Sequence, residues 1–423
     1  MAAKSVAFHT LGCKLNFSET SSLAHSLEQG GFVRRDFEDD ADIFVINTCS
    51  VTENADKECR YLVRGIRRRA PQAHIVITGC YAQLKPHEIA AIEGVDLVLG
   101  AAEKFNLPLH LEALSADPTY GKVHSCEIAE VTDFHSSSSG ADRTRAFLKV
   151  QDGCDYSCSF CTIPMARGAS RSDRIENVLA NVRELETAGV KEIVITGINL
   201  GDFGAVPAGQ LRDENFEDLV HALETKTTVP RIRFSSVEPN LLTDQIITLV
   251  AGSDRLMPHF HIPLQSGSDR VLGKMRRRYR SALYEDRVQK IKSLMPHASI
   301  GADVIVGFPG ESDADFEETF ALLHRLPVSY LHVFTYSERP GTLAAEMESV
   351  VPMQARNERN RILRNLSYQK LQYFTAQYQG QARKVLFERA PKGTMMEGYS
   401  DNYIKVQVPY QAHLANEVVD WRL

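Results

Sequence analysis

The sequence predicts an α/β protein with three parts: an N-terminal parallel α/β sheet domain, a central partial (β/α)6 barrel and a small C-terminal β-barrel. In the first 115 residues, short β-rich runs alternate with amphipathic helical stretches, as in a parallel sheet covered by helices. After a serine-rich stretch this alternation resumes six times, whereas the last 44 residues contain only short strands. The chain has 423 residues, 43% hydrophobic and 24% charged, which is enough for two or three domains.

The N-terminal domain, residues 1–134, is predicted from four β-rich runs and the helices between them. The runs read SVAFHTL, DIFVINT, HIVITG and DLVLG, and helices are expected at 18–29 and 53–69. Gly30 with Gly31, and Ala70 with Pro71, supply the helix ends. Residues 135–145, HSSSSGADRTR, are too polar and serine-rich to form a core, so we expect an unpacked linker there.

The central domain, residues 146–379, is predicted to be a partial barrel because six strands alternate with helical stretches. The strands read AFLKVQ, EIVITGIN, IRFSSVE, HFHIPLQ, ADVIVGF and LHVFTYS, and a long helical pattern from Pro352 to Gln379 closes the domain. Such barrels place their sites at the carboxyl ends of the strands. Residues 380–423 have short strands around a glycine-rich turn, the pattern of a small five-stranded barrel.

Composition excludes several classes of protein. A net charge of −6 argues against a surface coated in basic residues, so any nucleic-acid contact is local. The basic stretches 64–71, 166–174 and 274–280 are candidates, although each alone is more simply a solvated face. No run of eighteen apolar residues and no signal-peptide pattern is present, which predicts a cytoplasmic protein with no membrane contact. Eight cysteines are too few for a disulfide scaffold in a chain of this length, and they favour metal binding.

Three closely spaced cysteines, Cys154, Cys158 and Cys161, follow the first barrel strand in the loop GCDYSCSFCTIP. Tetrahedral zinc and an ordinary cysteine-held cluster both take four protein ligands, but this loop offers three. Three thiolates on a 4Fe-4S cluster leave the fourth iron open to a non-protein ligand. An open iron at a barrel rim can bind the amino and carboxylate groups of S-adenosylmethionine and reduce its sulfonium. The alternative is a zinc site completed by a distant histidine.

A second set of cysteines occupies equivalent positions in the N-terminal domain. Cys13, Cys49 and Cys80 each follow a predicted strand, and residues past the ends of parallel strands gather at one edge of the sheet. We therefore predict a second 4Fe-4S cluster with one open iron. Cys59 lies inside a predicted helix and Cys126 lies before the serine-rich stretch, so both are expected to be structural.

Five longer motifs contain or adjoin these cysteines. They read TLGCKLNFSET, INTCSVTENAD, TGCYAQ, GCDYSCSFCTIPMARGASRS and PLQSGSDRVLGKMRRRY. With the C-x3-C-x2-C spacing and Phe160 directly before its last cysteine, they resemble the methylthiotransferases of the radical S-adenosylmethionine (radical SAM) superfamily. The C-terminal barrel resembles the TRAM module that ends members of this family, so the resemblance covers essentially the whole chain.

The resemblance implies a radical SAM barrel and a transferase of sulfur-containing groups. Such enzymes attach a methylthio group to an unactivated C–H carbon, with one S-adenosylmethionine as methyl donor and a second as radical source. The cluster at Cys154, Cys158 and Cys161 would generate the radical, and the cluster of the N-terminal domain would carry the transferred sulfur. The implied partners are a tRNA anticodon stem-loop and a cellular electron donor such as flavodoxin or ferredoxin.

The resemblance also implies cofactor contacts at the strand ends. The usual acidic residue after the second barrel strand is absent, and Asn199 stands nearby. The third strand end offers two serines and a glutamate for the ribose or carboxylate, and the fifth offers an apolar strand and a glycine turn for adenine. The predicted S-adenosylmethionine contacts are Phe160, Gly197, Asn199, Ser235, Ser236, Glu238, Gln265, Ile305 and Gly307.

Family members act on threonylcarbamoyladenosine in tRNA, isopentenyladenosine in tRNA, or an aspartate of a ribosomal protein. TLGCKLN and IPMARGASRS most resemble the first group, which modifies the adenosine just 3′ of the anticodon. We predict that Arg167 and Arg171 contact the substrate carboxylate or phosphates; alternatively they pair with acids such as Asp173. Tyr399 and Tyr403 are predicted to stack on anticodon-loop bases, unless the terminal barrel only packs against the catalytic domain.

Two hypotheses from other functional classes also fit parts of the sequence. The first is an electron-transfer protein with two clusters, although such proteins normally use four cysteines per cluster. The second is an RNA-binding module with structural zinc, which needs a fourth cysteine or histidine near each set. His9 is near Cys13, but no such residue adjoins the 154–161 loop.

Overall fold

The computed structural model describes residues 4–49, 53–117, 119–140, 142–205, 213–391 and 393–423, without the side chains of 53–56. The described residues form an α/β protein with a parallel N-terminal sheet, a central set of parallel strands and a small antiparallel C-terminal sheet, which confirms the predicted fold class. None of the described helices is both long and apolar enough to cross a membrane.

The N-terminal domain is a six-stranded parallel sheet with strand order β2-β1-β3-β4-β5-β6. Its strands are β1 Ser5–Thr10, β2 Val33–Arg35, β3 Ile43–Thr48, β4 His74–Gly79, β5 Leu97–Leu99 and β6 Val123–His124. The helices are α1 Lys14–Gln29, α2 Glu53–Arg69, α3 Cys80–Leu84, α4 Pro86–Ala90 and α5 Leu107–Ala116. Every residue of β3 is buried, because apolar cores lie on both faces of the sheet.

The central domain places six parallel strands around one apolar core. The strands of this region are β7 Ser137–Ser138, β8 Arg145–Lys149, β9 Gln151–Asp152, β10 Arg171–Ser172, β11 Glu192–Thr196, β12 Arg231–Phe234, β13 His259–His261, β14 Ser299–Val306 and β15 Tyr330–Thr335. The helices are α6 Ile163–Arg167, α7 Ile175–Thr187, α8 Phe216–Lys226, α9 Asp244–Ala251, α10 Asp269–Lys274, α11 Ser281–Leu294, α12 Asp313–Arg325 and α13 Met353–Ala376.

The barrel is open along one side. Strands β12, β11 and β8 pair in that order, β13, β14 and β15 form a second sheet, and a parallel bridge between Ser236 and His261 joins the two. Among the described strands, β15 pairs only with β14, and β8 does not reach it. Helix α1 of the N-terminal domain packs against β8 and so lies beside the gap.

The serine-rich segment is packed, which makes the prediction of an unpacked linker wrong. Ser137 and Ser139 are buried, and β7 pairs antiparallel with β8. The Ser137 and Ser18 hydroxyl oxygens lie 2.9 Å apart, and the Ser138 N–H donates to Ser22 Oγ at 3.1 Å. Hydroxyl groups on α1 therefore satisfy the polar groups that made this segment look unable to pack.

The C-terminal domain is an antiparallel sheet with strand order β18-β17-β16-β19. Its strands are β16 Ala382–Phe387, β17 Met395–Ser400, β18 Lys405–Pro409 and β19 Val418–Arg422. The described residues of this domain thus form four strands rather than the five that the sequence predicts. Strands β16 and β17 contribute Val385, Phe387 and Met396 to its small core.

The turn after β17 closes the amino-terminal end of the barrel. Arg231 Nη2 donates to Tyr399 O at 3.1 Å, and Arg233 Nη2 donates to Ser400 O at 2.7 Å. Glu192 of β11 pairs with both guanidinium groups and balances part of their charge. The C-terminal domain is therefore fixed to the barrel floor by buried hydrogen bonds.

The two tyrosines predicted to stack on RNA bases lie in this interface. The Tyr403 ring stacks on His259 with centroids 4.0 Å apart, and the Arg233 guanidinium lies 5.0 Å from its centroid. The Arg145 guanidinium lies 4.2 Å from the centroid of Tyr399. Because protein groups stack on both rings, the packing alternative describes their contacts in this structure, and base stacking stays a prediction.

Candidate active site at two cysteine triads

The first triad lies at the carboxyl end of the first barrel strand, on the loop between β9 and α6. Its members are Cys154, Cys158 and Cys161. The Cys154 N–H donates to Gly168 O at 3.1 Å, and Ser159 Oγ donates to Lys274 O at 2.8 Å. These bonds fasten the loop to the end of α6 and to the end of α10.

Each sulfur of the first triad accepts a hydrogen bond. The donors are the Tyr156 N–H to Cys154 at 3.4 Å, the Ile163 N–H to Cys161 at 3.5 Å, and Arg277 Nη1 to Cys158 at 3.2 Å. Burial, together with the neighbouring thiols, raises the pKa of Cys154 to about 12 and that of Cys161 to about 11. The thiolates therefore need a nearby cation, which a bound metal cluster supplies.

The second triad lies at the carboxyl edge of the N-terminal sheet. Its members are Cys13 at the start of α1, Cys49 after β3 and Cys80 at the start of α3. Gly12 has φ +98°, and a Cβ there would lie 2.6 Å from the Cys49 Cβ, so glycine permits this approach. Asn16 Nδ2 donates to Leu11 O at 2.8 Å and to Thr48 O at 3.0 Å, which ties the two cysteine-bearing loops together.

Neither triad has the spacing of a single-ion site. Among the described residues, the group of three ligand atoms within 4.8 Å of one another is His261, Asp303 and His332, and neither cysteine triad meets that limit. Tetrahedral zinc with Zn–S bonds of about 2.3 Å holds its sulfurs about 3.8 Å apart. At least one pair of sulfurs in each triad therefore lies farther apart than tetrahedral zinc allows, which disfavours the zinc alternatives.

A buried ionic network joins the two triads. Arg167, at the end of α6, lies 2.9 Å from Asp152 Oδ1 and 3.1 Å from Glu19 Oε1. Glu19 on α1 also accepts from Lys149 Nζ at 2.9 Å and from Lys104 Nζ at 2.7 Å. Burial alone would raise the pKa of Glu19, but these three cations hold it well below its usual range. Glu19 is therefore a buried anion shared by both domains.

The network changes the role of the two predicted substrate contacts. Arg167 and Arg171 are 3% and 6% exposed, so neither presents its guanidinium to a large ligand. Arg171 donates to Asp133 O at 2.9 Å and to Arg167 O at 2.6 Å. Both pair with Asp152 rather than with Asp173, the acid expected from the sequence. The prediction that they contact substrate is wrong, and both are positioning residues.

Three of the predicted cofactor contacts carry unsatisfied polar atoms. Asn199 Oδ1, Ser235 Oγ and Gln265 Oε1 are buried and have no hydrogen-bond partner within the described protein. Gln265 also has φ +64°, an uncommon backbone conformation for a residue other than glycine. All three residues lie just past strand ends of the barrel. Because buried polar groups are normally paired, these atoms fit the polar groups of a bound S-adenosylmethionine.

The other predicted contacts lie around the same rim. Gly197 follows β11, and the Asn199 N–H donates to Gln151 Oε1 at 2.9 Å. Phe160 and Ile305 pack in one apolar cluster with the buried Phe308. That cluster provides an apolar wall suited to an adenine ring.

Three predicted contacts are engaged with other side chains. The Gly307 N–H donates to the Glu311 carboxylate. Ser236 Oγ lies 2.6 Å from His261 Nδ1. Glu238 pairs with Arg277, the same residue that donates to Cys158. Ser236 and Glu238 therefore orient neighbouring side chains, and Arg277, which the sequence argument missed, joins the third strand end to the first triad.

Asp202 is a second residue that the sequence argument missed. Its carboxylate accepts from Asn199 Nδ2 at 2.8 Å, and burial together with Asp155 raises its pKa to about 6. Its charge also acts on Cys154. A carboxylate at this place, near Cys154, can bind the amino group of S-adenosylmethionine. It lies three residues beyond the expected position, within a short 3-10 turn that gives no recognisable sequence signal.

Comparison with protein families assigns two parts of the chain. Residues 5–100 match the uncharacterized protein family UPF0004, and residues 148–323 match the radical SAM superfamily. A radical SAM methyltransferase, TsrM from Kitasatospora setae, has a TM-score of 0.60 at 15% identity over 81% of this chain and 75% of its own. OxsB, a cobalamin-dependent S-adenosylmethionine radical enzyme, has a TM-score of 0.52 at 12% identity over 88% and 56%. The fold and the first triad thus define a radical SAM enzyme.

Curated relatives narrow the family. The threonylcarbamoyladenosine tRNA methylthiotransferase MtaB of Bacillus subtilis is 43% identical over 408 residues, covering 95% of this chain and 89% of the relative. The Aquifex aeolicus protein of the same name is 39% identical over 90% and 92%. A tRNA-2-methylthio-N(6)-dimethylallyladenosine synthase of Nocardia farcinica is 36% identical over 84% and 72%. The chain belongs to the radical SAM tRNA methylthiotransferase family, which confirms the predicted enzyme class and its cofactors, 4Fe-4S clusters and S-adenosylmethionine.

Proposed function

We propose that this enzyme adds a methylthio group to threonylcarbamoyladenosine next to the anticodon of tRNA. The observation that carries the proposal is the pair of three-cysteine sites joined by a buried network across the domain interface. The relatives named for this substrate cover 90–95% of the chain at 36–43% identity. The relatives named for dimethylallyladenosine cover 83–90% at 32–36%.

The proposal assigns one cluster to each triad. Cys154, Cys158 and Cys161 would hold the cluster that binds S-adenosylmethionine, and Cys13, Cys49 and Cys80 would hold the cluster that supplies the transferred sulfur. When bound, these groups supply the methyl group, the sulfur and the radical that activates the C–H bond.

The protein's own side chains bind and orient these groups. The Asp202 carboxylate pairs with the ammonium group of S-adenosylmethionine. The unsatisfied oxygens of Ser235 and Gln265 bind other polar groups of the same cofactor. Arg277 donates to the Cys158 sulfur and stabilises its thiolate. Arg167 fixes the distance between the two triads.

Nucleoside analysis tests the substrate. tRNA from cells with and without this gene is digested and its modified nucleosides are measured by mass. We expect 2-methylthio-threonylcarbamoyladenosine to disappear without the gene and the unmethylthiolated nucleoside to accumulate. Loss of the methylthio form of isopentenyladenosine instead would overturn the substrate assignment. The electron donor, flavodoxin or ferredoxin, and the cytoplasmic location stay predictions of the sequence.

A further inference from the structure

A polar cluster on the inner face of the barrel lies outside the predicted cofactor contacts. His261, Asp303 and His332 lie on the adjacent strands β13, β14 and β15, and Asp303 and His332 are register partners. Asp303 Oδ1 lies 3.1 Å from His261 Nε2 and 3.2 Å from His332 Nδ1. His332 Nδ1 makes a hydrogen bond with this oxygen, whereas His261 Nε2 lies close to it without hydrogen-bond geometry, so the carboxylate orients the His332 imidazole.

Lys14 reaches the same space from the N-terminal domain. It is the first residue of α1, and the charges that act on it are those of Tyr403 in the C-terminal domain and of Arg145, Asp303 and Arg233 on barrel strands. Helix α1 packs against β8, which borders the open side of the barrel, so Lys14 lies at this opening. Lys14 is exposed and forms no ion pair with any acid in the described part of the chain. It also directly follows Cys13, so a group held by Lys14 lies beside the second triad.

An exposed aromatic ring lies near this cluster. Phe334 on β15 is 45% exposed and is the register partner of Ile305, which belongs to the predicted adenine wall. It projects from the same face of β15 as His332, two residues along the strand, which is about 7 Å. An exposed ring at this depth offers a stacking surface for a nucleic-acid base.

The charge of this surface favours an anionic ligand. Arg145 pairs with Glu388, and Arg231 and Arg233 share Glu192. The His332 imidazole hydrogen-bonds Asp303, whereas Lys14 forms no ion pair with an acid among the described residues. A carboxylate is the group that an unpaired, partly enclosed ammonium binds best.

We propose that Lys14, His261, Asp303, His332 and Phe334 form the binding surface for the target adenosine. Phe334 stacks on the base, and Lys14 binds the carboxylate at the end of its N6 substituent, with the His332 imidazole beside it. This inference rests on the proposed function and adds the residues that select an anionic substituent. It also replaces Arg167 and Arg171, which are buried, in the role that the sequence assigned to them.

The test uses two anticodon stem-loops, one with threonylcarbamoyladenosine and one in which its carboxylate is a neutral amide. Binding to the cluster-loaded enzyme without S-adenosylmethionine is measured by fluorescence anisotropy, and methylthio product is measured by mass. We expect the wild-type enzyme to bind the acid at least tenfold more tightly than the amide. Lys14→Met should bind the acid as weakly as the amide, with amide binding unchanged. Lys226→Met, which alters an exposed lysine at the end of α8, should behave like wild type.

A second variant is needed because Lys14 directly follows Cys13, so Lys14→Met could also disturb the second cluster. His332→Gln should also reduce the preference for the acid, with unchanged iron content. Wild-type preference in both variants, or an equal loss for acid and amide, would overturn the inference. If the wild-type enzyme itself gives no product from the threonylcarbamoyladenosine stem-loop, the proposed function has failed instead.

Discussion

Arg167 of the central domain and Glu19 of the N-terminal domain form a buried ion pair, with 3.1 Å between Nη1 and Oε1. The same guanidinium donates to Asn16 Oδ1 at 2.6 Å and hydrogen-bonds Cys80. Arg167 lies six residues after Cys161. One side chain therefore connects the loop of the first triad with residues of the second, and the spacing of the triads is set by a buried contact.

Removing that contact should uncouple the two sites. Arg167→Met leaves Glu19 with less positive charge, and breaking a buried pair costs about 3 kcal/mol of stability. We expect S-adenosylmethionine cleavage to 5′-deoxyadenosine to continue while methylthio product falls at least tenfold. The ratio of methylthio product to 5′-deoxyadenosine, measured in one reaction, shows whether the two sites are uncoupled. Arg361→Ala removes an exposed pair on α13 and should leave the ratio unchanged; an unchanged ratio in a folded Arg167 variant would refute the positioning role.

Cluster content should follow the two triads. Anaerobic reconstitution should load about eight irons per chain if each triad holds a 4Fe-4S cluster. Cys154→Ala should lose half of this iron and all S-adenosylmethionine cleavage, whereas Cys49→Ala should lose the other half and keep uncoupled cleavage. Cys126→Ala and Cys59→Ala are the controls and should keep full iron. Full iron in either triad variant would show that the ligands are wrongly assigned.

Asp202 should make S-adenosylmethionine binding sensitive to pH. Its pKa is raised to about 6 because it is buried near Asp155, so it loses its negative charge as the pH falls through 6. The carboxylate form pairs with the ammonium of the cofactor, so KM for S-adenosylmethionine should rise below pH 6. Asp202→Asn should raise KM about tenfold at pH 8 and remove this pH dependence. A variant with the wild-type KM and pH profile would exclude this contact.

Tyr403 should contribute to stability rather than to RNA binding. Its ring contacts His259 and Arg233 at the barrel floor, so Tyr403→Ala should lower the free energy of unfolding by about 2 kcal/mol. Affinity for tRNA should stay within twofold of wild type. Tyr373→Ala alters a ring that is 73% exposed on α13 and is the matched control. Weaker tRNA binding without loss of stability would support the stacking prediction.

The sequence predicted those features that depend on local pattern. Strand and helix alternation gave the parallel sheet and the six barrel strands, and Cys13, Cys49 and Cys80 follow their strands as the pattern indicates. It could not predict contacts between distant segments. Hydroxyl groups of α1 bury the serine-rich segment, and Glu19, one of the two acids that pair with Arg167, lies 148 residues away. Lys14 looked like an ordinary surface lysine because its neighbours in the barrel are far away in sequence.

Methylthio transfer by the purified, cluster-loaded enzyme shows which of the two tRNA nucleosides it modifies. The enzyme receives S-adenosylmethionine, a reductant and two anticodon stem-loops, one bearing threonylcarbamoyladenosine and one bearing isopentenyladenosine, and the methylthio products are measured by mass. We predict product from the first stem-loop only, because the inner face of the barrel is polar and carries the unpaired Lys14. Product mainly from the isopentenyladenosine stem-loop would show that the enzyme selects the apolar substituent instead.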